Sequence, residues 1–274
     1  MTGDVYALAK ERNCKVAIGL DPAQPSAERV ANSAIFAARE RYARPVLVTQ
    51  GRVGAPLLTD YIGEGNSAVY AEDAPRALVE MLNEGVVDAA VRGNLGFRTL
   101  VPALKQTFGT RSLQRITLLD LGSRKVMLAP VGIDEGDEKR DLIALASNGR
   151  ALAKRLGLPF RLAVLSGGRL EDRGRSERVD RMLDRSKALT EGLRQASIES
   201  EEYGIELERA IEEGATMILA PDGVIGNIIF RSLVLVGNTE SFGAYASALP
   251  KVYVDTSRAK GSYLLPIILA SALG

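Results

Sequence analysis

Histidine is absent from the 274-residue chain, and cysteine occurs once, at Cys14. The first absence removes Ser-His-Asp and Cys-His catalysis, imidazole acid/base steps and His-based metal sites. The second removes intrachain disulfides, Cys₄ zinc sites and iron–sulfur clusters. An excess of charge is missing too: 35 Lys+Arg face 34 Asp+Glu, a net charge of +1. That balance offers no general field for nucleic acid or an anionic membrane, and neither is expected as a partner. Long apolar runs are also lacking. The longest, Tyr263–Leu273, spans 11 residues and contains Pro266 and Ser271, too short to cross a bilayer. Asp4 and Glu11 interrupt a weakly apolar start, so neither a signal nor a transit peptide is read there, and a cytoplasmic protein is expected. The chemistry left to such a chain rests on carboxylates, Ser/Thr, Arg/Lys, Asn and backbone amides.

What is present is a full globular composition, 46% hydrophobic and 25% charged. Basic residues divide into 26 Arg and 9 Lys. The bias has two readings, genomic composition or a use for planar, bidentate donors that suit phosphate and carboxylate. Short Val/Ile/Leu-rich runs without period-two alternation are expected as buried parallel strands at Lys15–Leu20, Pro45–Thr49, Ala68–Tyr70, Asp88–Val91, Arg115–Leu121, Lys125–Val131, Arg161–Leu165, Thr216–Ala220 and Lys251–Val254. Helical patterns fall between them at Ser26–Arg41, Ala74–Asn83, Phe97–Phe108, Glu138–Leu156, Ser176–Ala196, Ile205–Glu213 and Asn227–Val236. This β-α repetition predicts doubly wound α/β architecture. At Arg111–Asp137 two strand-like runs joined by Gly122-Ser123-Arg124 break the rhythm. We therefore expect two α/β domains, residues 1–121 with 250–274 and residues 122–249.

Ligands of open α/β sheets bind beyond the carboxyl ends of strands. Four such ends carry small, polar or cationic residues: Arg92-Gly93-Asn94, Ser166-Gly167-Gly168-Arg169, Asp222-Gly223 with Gly226-Asn227, and Asp255-Thr256-Ser257-Arg258. In the second, glycine amides can face an anion, and Arg173 and Arg175 precede Ser176, the expected N-cap of the next helix. Cations there oppose the helix dipole by about 0.3–1 kcal/mol each, a sign that a bound anion reverses. The alternative is a solvated loop whose arginines pair with Glu171, Asp172 or Glu177. In the third, Asn227 either caps the next helix and offers its amide to a ligand or belongs to a simple turn, with Arg231 one helical turn further on. In the fourth, a Ser-Arg pair suits phosphate or a developing oxyanion, although no histidine can activate Ser257 as a nucleophile. The pair reads equally as an ordinary loop. No Walker sequence and no GxGxxG fingerprint is present.

Two of these segments, MILAPDGVIGNIIFRSLVLVGNTESFGAY (Met217–Tyr245) and VYVDTSRAKGS (Val252–Ser262), resemble the phosphate acetyl/butyryltransferase superfamily, which includes phosphotransacetylase. VAIGLDPAQPSAERV and DAAVRGN align with it more loosely. VLSGGRLEDRGRSERVD (Val164–Asp180) and APDGVIGNIIFRSL (Ala220–Leu233) are similar to its methanogen MtxX branch, the methanogenesis-marker, methyltransferase-related subunit X. The resemblance implies two α/β domains of the isocitrate/isopropylmalate dehydrogenase-like type facing a cleft, in a homodimer. It also implies that Asn227 matches the family Gly-Asn, that Arg231 stands where phosphotransacetylases have Lys, and that Ser257-Arg258 match the active-site Ser-Arg.

The departures are as informative. The family aspartate about seven residues after that serine, the proposed base toward coenzyme A, is absent from Tyr263-Leu264-Leu265, and the glycine after Ser-Arg is Ala259. The expectation is a transferase-like protein binding a phosphorylated or acyl small molecule in an interdomain cleft. Ser257, Arg258, Gly167, Gly168 and Arg92 would hold the anion, and Asp222 or Asp255 would replace the base. Acetyl transfer to coenzyme A is expected to be very low or absent. The alternatives are a methyltransferase or methyl-transfer subunit of methanogenesis, and a non-catalytic sensor or assembly factor. Coenzyme A and S-adenosylmethionine are the cofactors these readings would call on; no fingerprint for either is present.

Overall fold

The computed structural model describes residues 4–50, 61–63, 66–257 and 261–274; Arg258 and Ala259 of the Ser-Arg segment lie outside them. The described chain divides into two compact units. A terminal unit runs through Leu113 and resumes at Phe242–Gly274, and a central unit is Gln114–Ser241.

In the terminal unit, α1 (Val5–Arg12), β1 (Lys15–Leu20), α2 (Ala27–Arg39), β2 (Arg44–Gln50), β3 (Ser67–Ala71), α3 (Ala74–Asn83), β4 (Ala89–Val91) and α4 (Phe97–Phe108) are followed, after the central unit, by β11 (Val252–Asp255) and α9 (Leu264–Leu273). The strands lie in the order β3-β2-β1-β4-β11, all parallel. Apart from the edge strand β3, each strand is short and buried through its middle, as β1 and β4 show, because helices cover both faces. Helix α2 buries Val30, Ala31, Ala34 and Ala37 at helical spacing. Asp73 caps α3 by accepting from the Arg76 amide at 3.1 Å. Helix α9 is apolar all round and buried from Pro266 to Leu273, which accounts for the longest apolar run as core. Leu78, Leu82, Leu100, Leu104 and Tyr253 share one cluster; each fully buried leucine contributes about 1.5–3 kcal/mol.

The central unit contains β5 (Arg115–Asp120), β6 (Lys125–Ala129), α5 (Lys139–Leu156), β7 (Leu162–Leu165), α6 (Glu177–Gln195), β8 (Ser200–Gly204), α7 (Leu207–Glu212), β9 (Met217–Leu219) and α8 (Gly223–Arg231). A π-helical turn, Ser232–Val236, follows, and β10 (Glu240–Ala246) leads the chain back into the terminal unit. There Ala244 and Tyr245 pair antiparallel with Asp255 and Val254 of β11. The central strands are ordered β5-β6-β9-β7-β8.

Several expectations need correction. The first passage between units lies before β5, not at the 122–124 turn. Strands β5 and β6 form an antiparallel hairpin, with Thr117 opposite Leu128 and Asp120 opposite Lys125, so β5 packs with β6. The return comes at Phe242 rather than at residue 250. Strand β6 stops at Ala129 because Pro130 has no amide to extend the ladder. The helix expected from Asn227 starts at Gly223, and Asp222, not Asn227, is its cap. Strands β8 and β10 and helix α1 were not expected. Ser-Glu-Glu opens β8, a glycine interrupts β10, and α1 buries only Val5 and Ala9, so none carries a strong apolar period.

Candidate functional site

The terminal unit has a topological switch point. From β1 the chain steps outward to β2 and β3, then β4 pairs on the other side of β1. The crevice beyond the carboxyl ends at such a reversal is where doubly wound sheets hold ligands. Here those ends are Asp21 after β1, Arg92-Gly93-Asn94 after β4 and Asp255-Thr256-Ser257 beside them after β11.

Backbone contact packs this corner. Gly93 has φ +62°, and a Cβ there would run into the carbonyl oxygen of Gly19. Asn94, fully buried, accepts from the Asp21 amide at 2.6 Å and donates to the Asp21 carbonyl at 3.0 Å, tying the β1 loop to the β4 loop. The Thr256 hydroxyl donates to the Gly93 carbonyl at 2.6 Å, tying β4 to β11. Arg92 and Asp255 are both buried, with Nε 3.2 Å from Oδ1. That is ion-pair distance without hydrogen-bond alignment, for Arg92 Nε makes no hydrogen bond among the described residues. Asp255 Oδ1 receives the Thr256 amide at 2.9 Å. The Arg92 guanidinium also lies 5.8 Å from the Phe97 ring centroid. Ser257, half-buried, extends this row.

The loop after β7 is built differently. Ser166 is buried and its amide donates to the Gly204 carbonyl, while its hydroxyl finds no hydrogen-bond partner among the described residues. A Cβ on Gly167 would meet the Met182 side chain and one on Gly168 would come within 2.8 Å of Val179, so close packing against α6 accounts for both glycines. The Arg169 amide donates to Asp172 at 2.9 Å, and the Arg169 guanidinium lies 3.3 Å from Glu206. Arg173 pairs with Asp184 at 2.8 Å and Arg175 with the half-buried Asp172 at 2.6 Å, both guanidinium groups at the surface. Of the two readings of this loop, its hydrogen bonds match the solvated one. Ser176 does cap α6, accepting from the Val179 amide at 3.3 Å.

After β9, Asp222 Oδ1 accepts from the Ile225 amide at 2.8 Å. Asn227 lies inside α8, and its side-chain amide donates to the Val131 carbonyl at 2.8 Å rather than capping a helix. A Cβ at Gly226 would strike the Pro130 carbonyl, so this glycine lets α8 approach the 130–132 loop. Arg231 is exposed at the end of α8.

The structure thus brings together Arg92, Asn94, Asp255 and Ser257 in the terminal unit. The residues Ser166–Arg175 and Asp222–Arg231 belong to the central unit. Asp21 was not singled out from the sequence, and Gly93 and Thr256 were named only within their strand-end segments, without a role of their own. Asp21 could have been found from its place just past strand β1, once β1 was recognised as the strand from which the order reverses. Among the described residues no group of three or more Cys, Asp or Glu could hold a metal ion, and no helix is long and apolar enough to cross a membrane.

No protein-family model matches the chain. A protein of Methanosarcina mazei named "Putative methyltransferase mtx subunit X" is 36% identical over 271 residues, covering 98% of this chain and 93% of its own. Among solved structures, a phosphotransacetylase from Streptococcus pyogenes superposes with a TM-score of 0.70 at 17% identity, over 97% of each chain. A 4-hydroxythreonine-4-phosphate dehydrogenase from Klebsiella pneumoniae superposes with a TM-score of 0.64 at 13% identity, over 96% of this chain and 99% of its own. At those identities the structures establish a shared fold, one that transferases and dehydrogenases both use.

Proposed function

The chain belongs to the mtx subunit X family, and from that premise we propose that it binds a small phosphorylated or acyl ligand at the carboxyl ends of β1, β4 and β11. One observation carries this reading: a buried guanidinium, that of Arg92, stands at the switch point, and its Nε, 3.2 Å from Asp255, makes no hydrogen bond among the described residues. A buried cation without aligned partners is costly, and an anion placed against it would supply the missing acceptor. Ser257 and Arg258 would complete the anion site, the hydroxyl donating and the second guanidinium neutralising charge. Asn94 and Thr256 would position the loops rather than touch the ligand.

In this reading the protein is a phosphotransacetylase-fold transferase or a derivative that kept binding and lost turnover. The position of the family's base is Leu264, the first residue of α9, which cannot accept a proton from a thiol. Asp255 is committed to Arg92 and the Thr256 amide, and Asp222 to the cap of α8. Efficient acetyl transfer to coenzyme A is therefore not part of the proposal. A second reading, a methyltransferase or methyl-transfer subunit, is favoured by the name the Methanosarcina relative carries.

Calorimetric titration with inorganic phosphate, acetyl phosphate, coenzyme A and S-adenosylmethionine separates these readings. Phosphate or acetyl phosphate is expected to bind, and Arg258→Ala and Ser257→Ala to weaken it, the arginine by tenfold or more, about 1.5–3 kcal/mol. Arg76→Ala, on the exposed face of α3, should bind as wild type. Binding of S-adenosylmethionine alone would replace the proposal by the second reading. Robust acetyl phosphate formation from acetyl-coenzyme A would contradict the loss of the base.

A further inference from the structure

We propose that a cavity inside the central unit, between α5, α6 and α8, is a binding site for an amphipathic monoanion, an aliphatic carboxylate or alkyl phosphate. This goes beyond the switch-point reading, since every residue lining the cavity belongs to Gln114–Ser241. The cavity has a volume of about 370 Å³, within the range of small-molecule sites. Its lining includes Leu165, where β7 ends, and Pro221 and Asp222, into which β9 runs, the strand ends at which α/β sheets receive ligands.

Its lining is divided. Leu142, Leu165, Met182 and Ile225 supply an apolar floor, and Arg178, Arg181 and Arg185 supply a cationic wall from one face of α6. Positions separated by three and four residues share a helix face, so the three guanidinium groups stand in one row. Their charge is poorly compensated. Arg185 donates to the Gly136 and Asp137 carbonyls at 2.7 and 2.8 Å, which orients it without neutralising it. Arg181 has Glu177 at 3.4 Å, a carboxylate whose side chain is 93% exposed. Arg178 has no ion pair among the described residues, and it sits in the first turn of α6, where the helix dipole disfavours a cation. The one carboxylate in the lining, Asp222, is turned to the Ile225 amide, and the Ser186 hydroxyl is turned to Glu202 at 3.0 Å. Elsewhere on this unit Arg161, Arg173, Arg175 and Arg209 each have a carboxylate within 3.1 Å, while Arg124 and Arg150, like Arg185, donate to backbone carbonyls, and none of these lines an apolar cavity with two further arginines. An apolar floor beneath three arginines, of which only Arg181 has an ion pair among the described residues, calls for a ligand with an apolar body and an anionic head.

The test uses the full chain, with octanoate, hexyl phosphate and 1-octanol as probes in calorimetric and thermal-shift titrations. At least one of the two anions should bind and raise Tm, with 1-octanol at least tenfold weaker. The preferred anion identifies the head group. The double variant Arg178→Ala/Arg181→Ala removes only exposed side chains and should weaken the anion tenfold or more. Val224→Trp, from the exposed rim, should fill the cavity and abolish binding, whereas Arg76→Ala should change nothing. Excess inorganic phosphate should not displace the probe. The proposal is overturned if neither anion binds, if 1-octanol binds as well, if the double variant binds like wild type, or if inorganic phosphate competes. Loss of phosphate binding in Arg258→Ala bears on the switch-point site alone, so the two proposals fail separately.

Discussion

The strand ends of the terminal unit and the loop after β7 in the central unit present similar side chains to very different surroundings. Both offer glycines, hydroxyls, arginines and carboxylates just past a buried strand. In the terminal unit Arg92 and Asp255 are buried, Asn94 bridges to Asp21, and Thr256 bridges to Gly93. In the central unit Arg173 and Arg175 are at the surface and each is matched by its own carboxylate. Burial separates the two cases. A solvated arginine is paired at little gain and little cost, whereas a buried one fixes its neighbours and is expensive to leave incomplete. A ligand gains most where the protein has already removed water and left an acceptor wanting, which is why the switch point outranks the arginine-rich loop.

The widest gap should appear when one partner of an ion pair is removed from each place. Asp255→Ala leaves Arg92 buried without its counter-charge, a loss of about 3–5 kcal/mol. Arg173→Ala, at the surface, should leave the urea midpoint where it was. A second substitution sharpens the contrast: Arg92→Leu/Asp255→Leu should recover part of the single loss, because two apolar residues need no compensation. A midpoint for Asp255→Ala equal to that of wild type would show that the pair does not hold the corner.

Glycines give a smaller version of the same contrast. Gly93 and Gly174 both have positive φ, +62° and +88°, so alanine at either pays about 1–3 kcal/mol of backbone strain. Only Gly93 faces the backbone of a neighbouring strand end, the Gly19 carbonyl, while a Cβ on Gly174 meets nothing within 4 Å. Gly93→Ala should therefore be more destabilising than Gly174→Ala by about 1–3 kcal/mol, the usual size of an overpacking penalty. Equal denaturation curves for the two would mean that the β1 and β4 loops can separate freely.

These contrasts also mark what the sequence could reveal. Strand β1 occupies Lys15–Leu20 as its apolar run indicates, and α6 starts behind Ser176, because buried parallel strands and capped amphipathic helices leave dense local signals. The hairpin β5–β6 was visible as a break in rhythm, but its membership was not, since a strand's partners are a non-local property. The same limit applied to the site. Asp222 and Asn227 both occur near a helix start, and only the observed hydrogen bonds show that Asp222 caps and Asn227 reaches across to Val131. The arginines of the 166–175 loop drew attention through a helix-dipole argument, yet Asp172 and Asp184 were already beside them. Arg178, Arg181 and Arg185 read as the polar face of an amphipathic helix, because the cavity they border also needs Leu142 and the 221–225 segment, each more than thirty positions away.

The smallest expected effect concerns acid, and it falls on the edge strand β8. Glu201 is held below its ordinary range, first by the Tyr203 hydroxyl at 2.8 Å and then by Arg161 at 3.1 Å. Glu213 is held low by Arg209 at 2.8 Å and then by Tyr203 at 3.0 Å. Burial, then these carboxylates, pushes the Tyr203 phenol up to about 12. A carboxylate with a lowered folded pKa contributes stability that is full above its unfolded value and lost as pH falls through the folded one. The two glutamates should therefore support β8 and α7 at neutral pH and release them progressively below the ordinary glutamate value of 4.5. Tyr203 has the opposite dependence, its contribution disappearing only as pH rises through about 12. Both carboxylates are at the surface, so solvent screening keeps the change local and modest. Hydrogen exchange over residues 200–213, corrected for intrinsic rates, should quicken between pH 6 and pH 3 relative to β1. Glu201→Gln/Glu213→Gln should exchange faster at pH 6 and lose most of that pH dependence. If protection of this segment were the same at both pH values in the wild type, the carboxylate–tyrosine cluster would not be what secures the edge of the central unit.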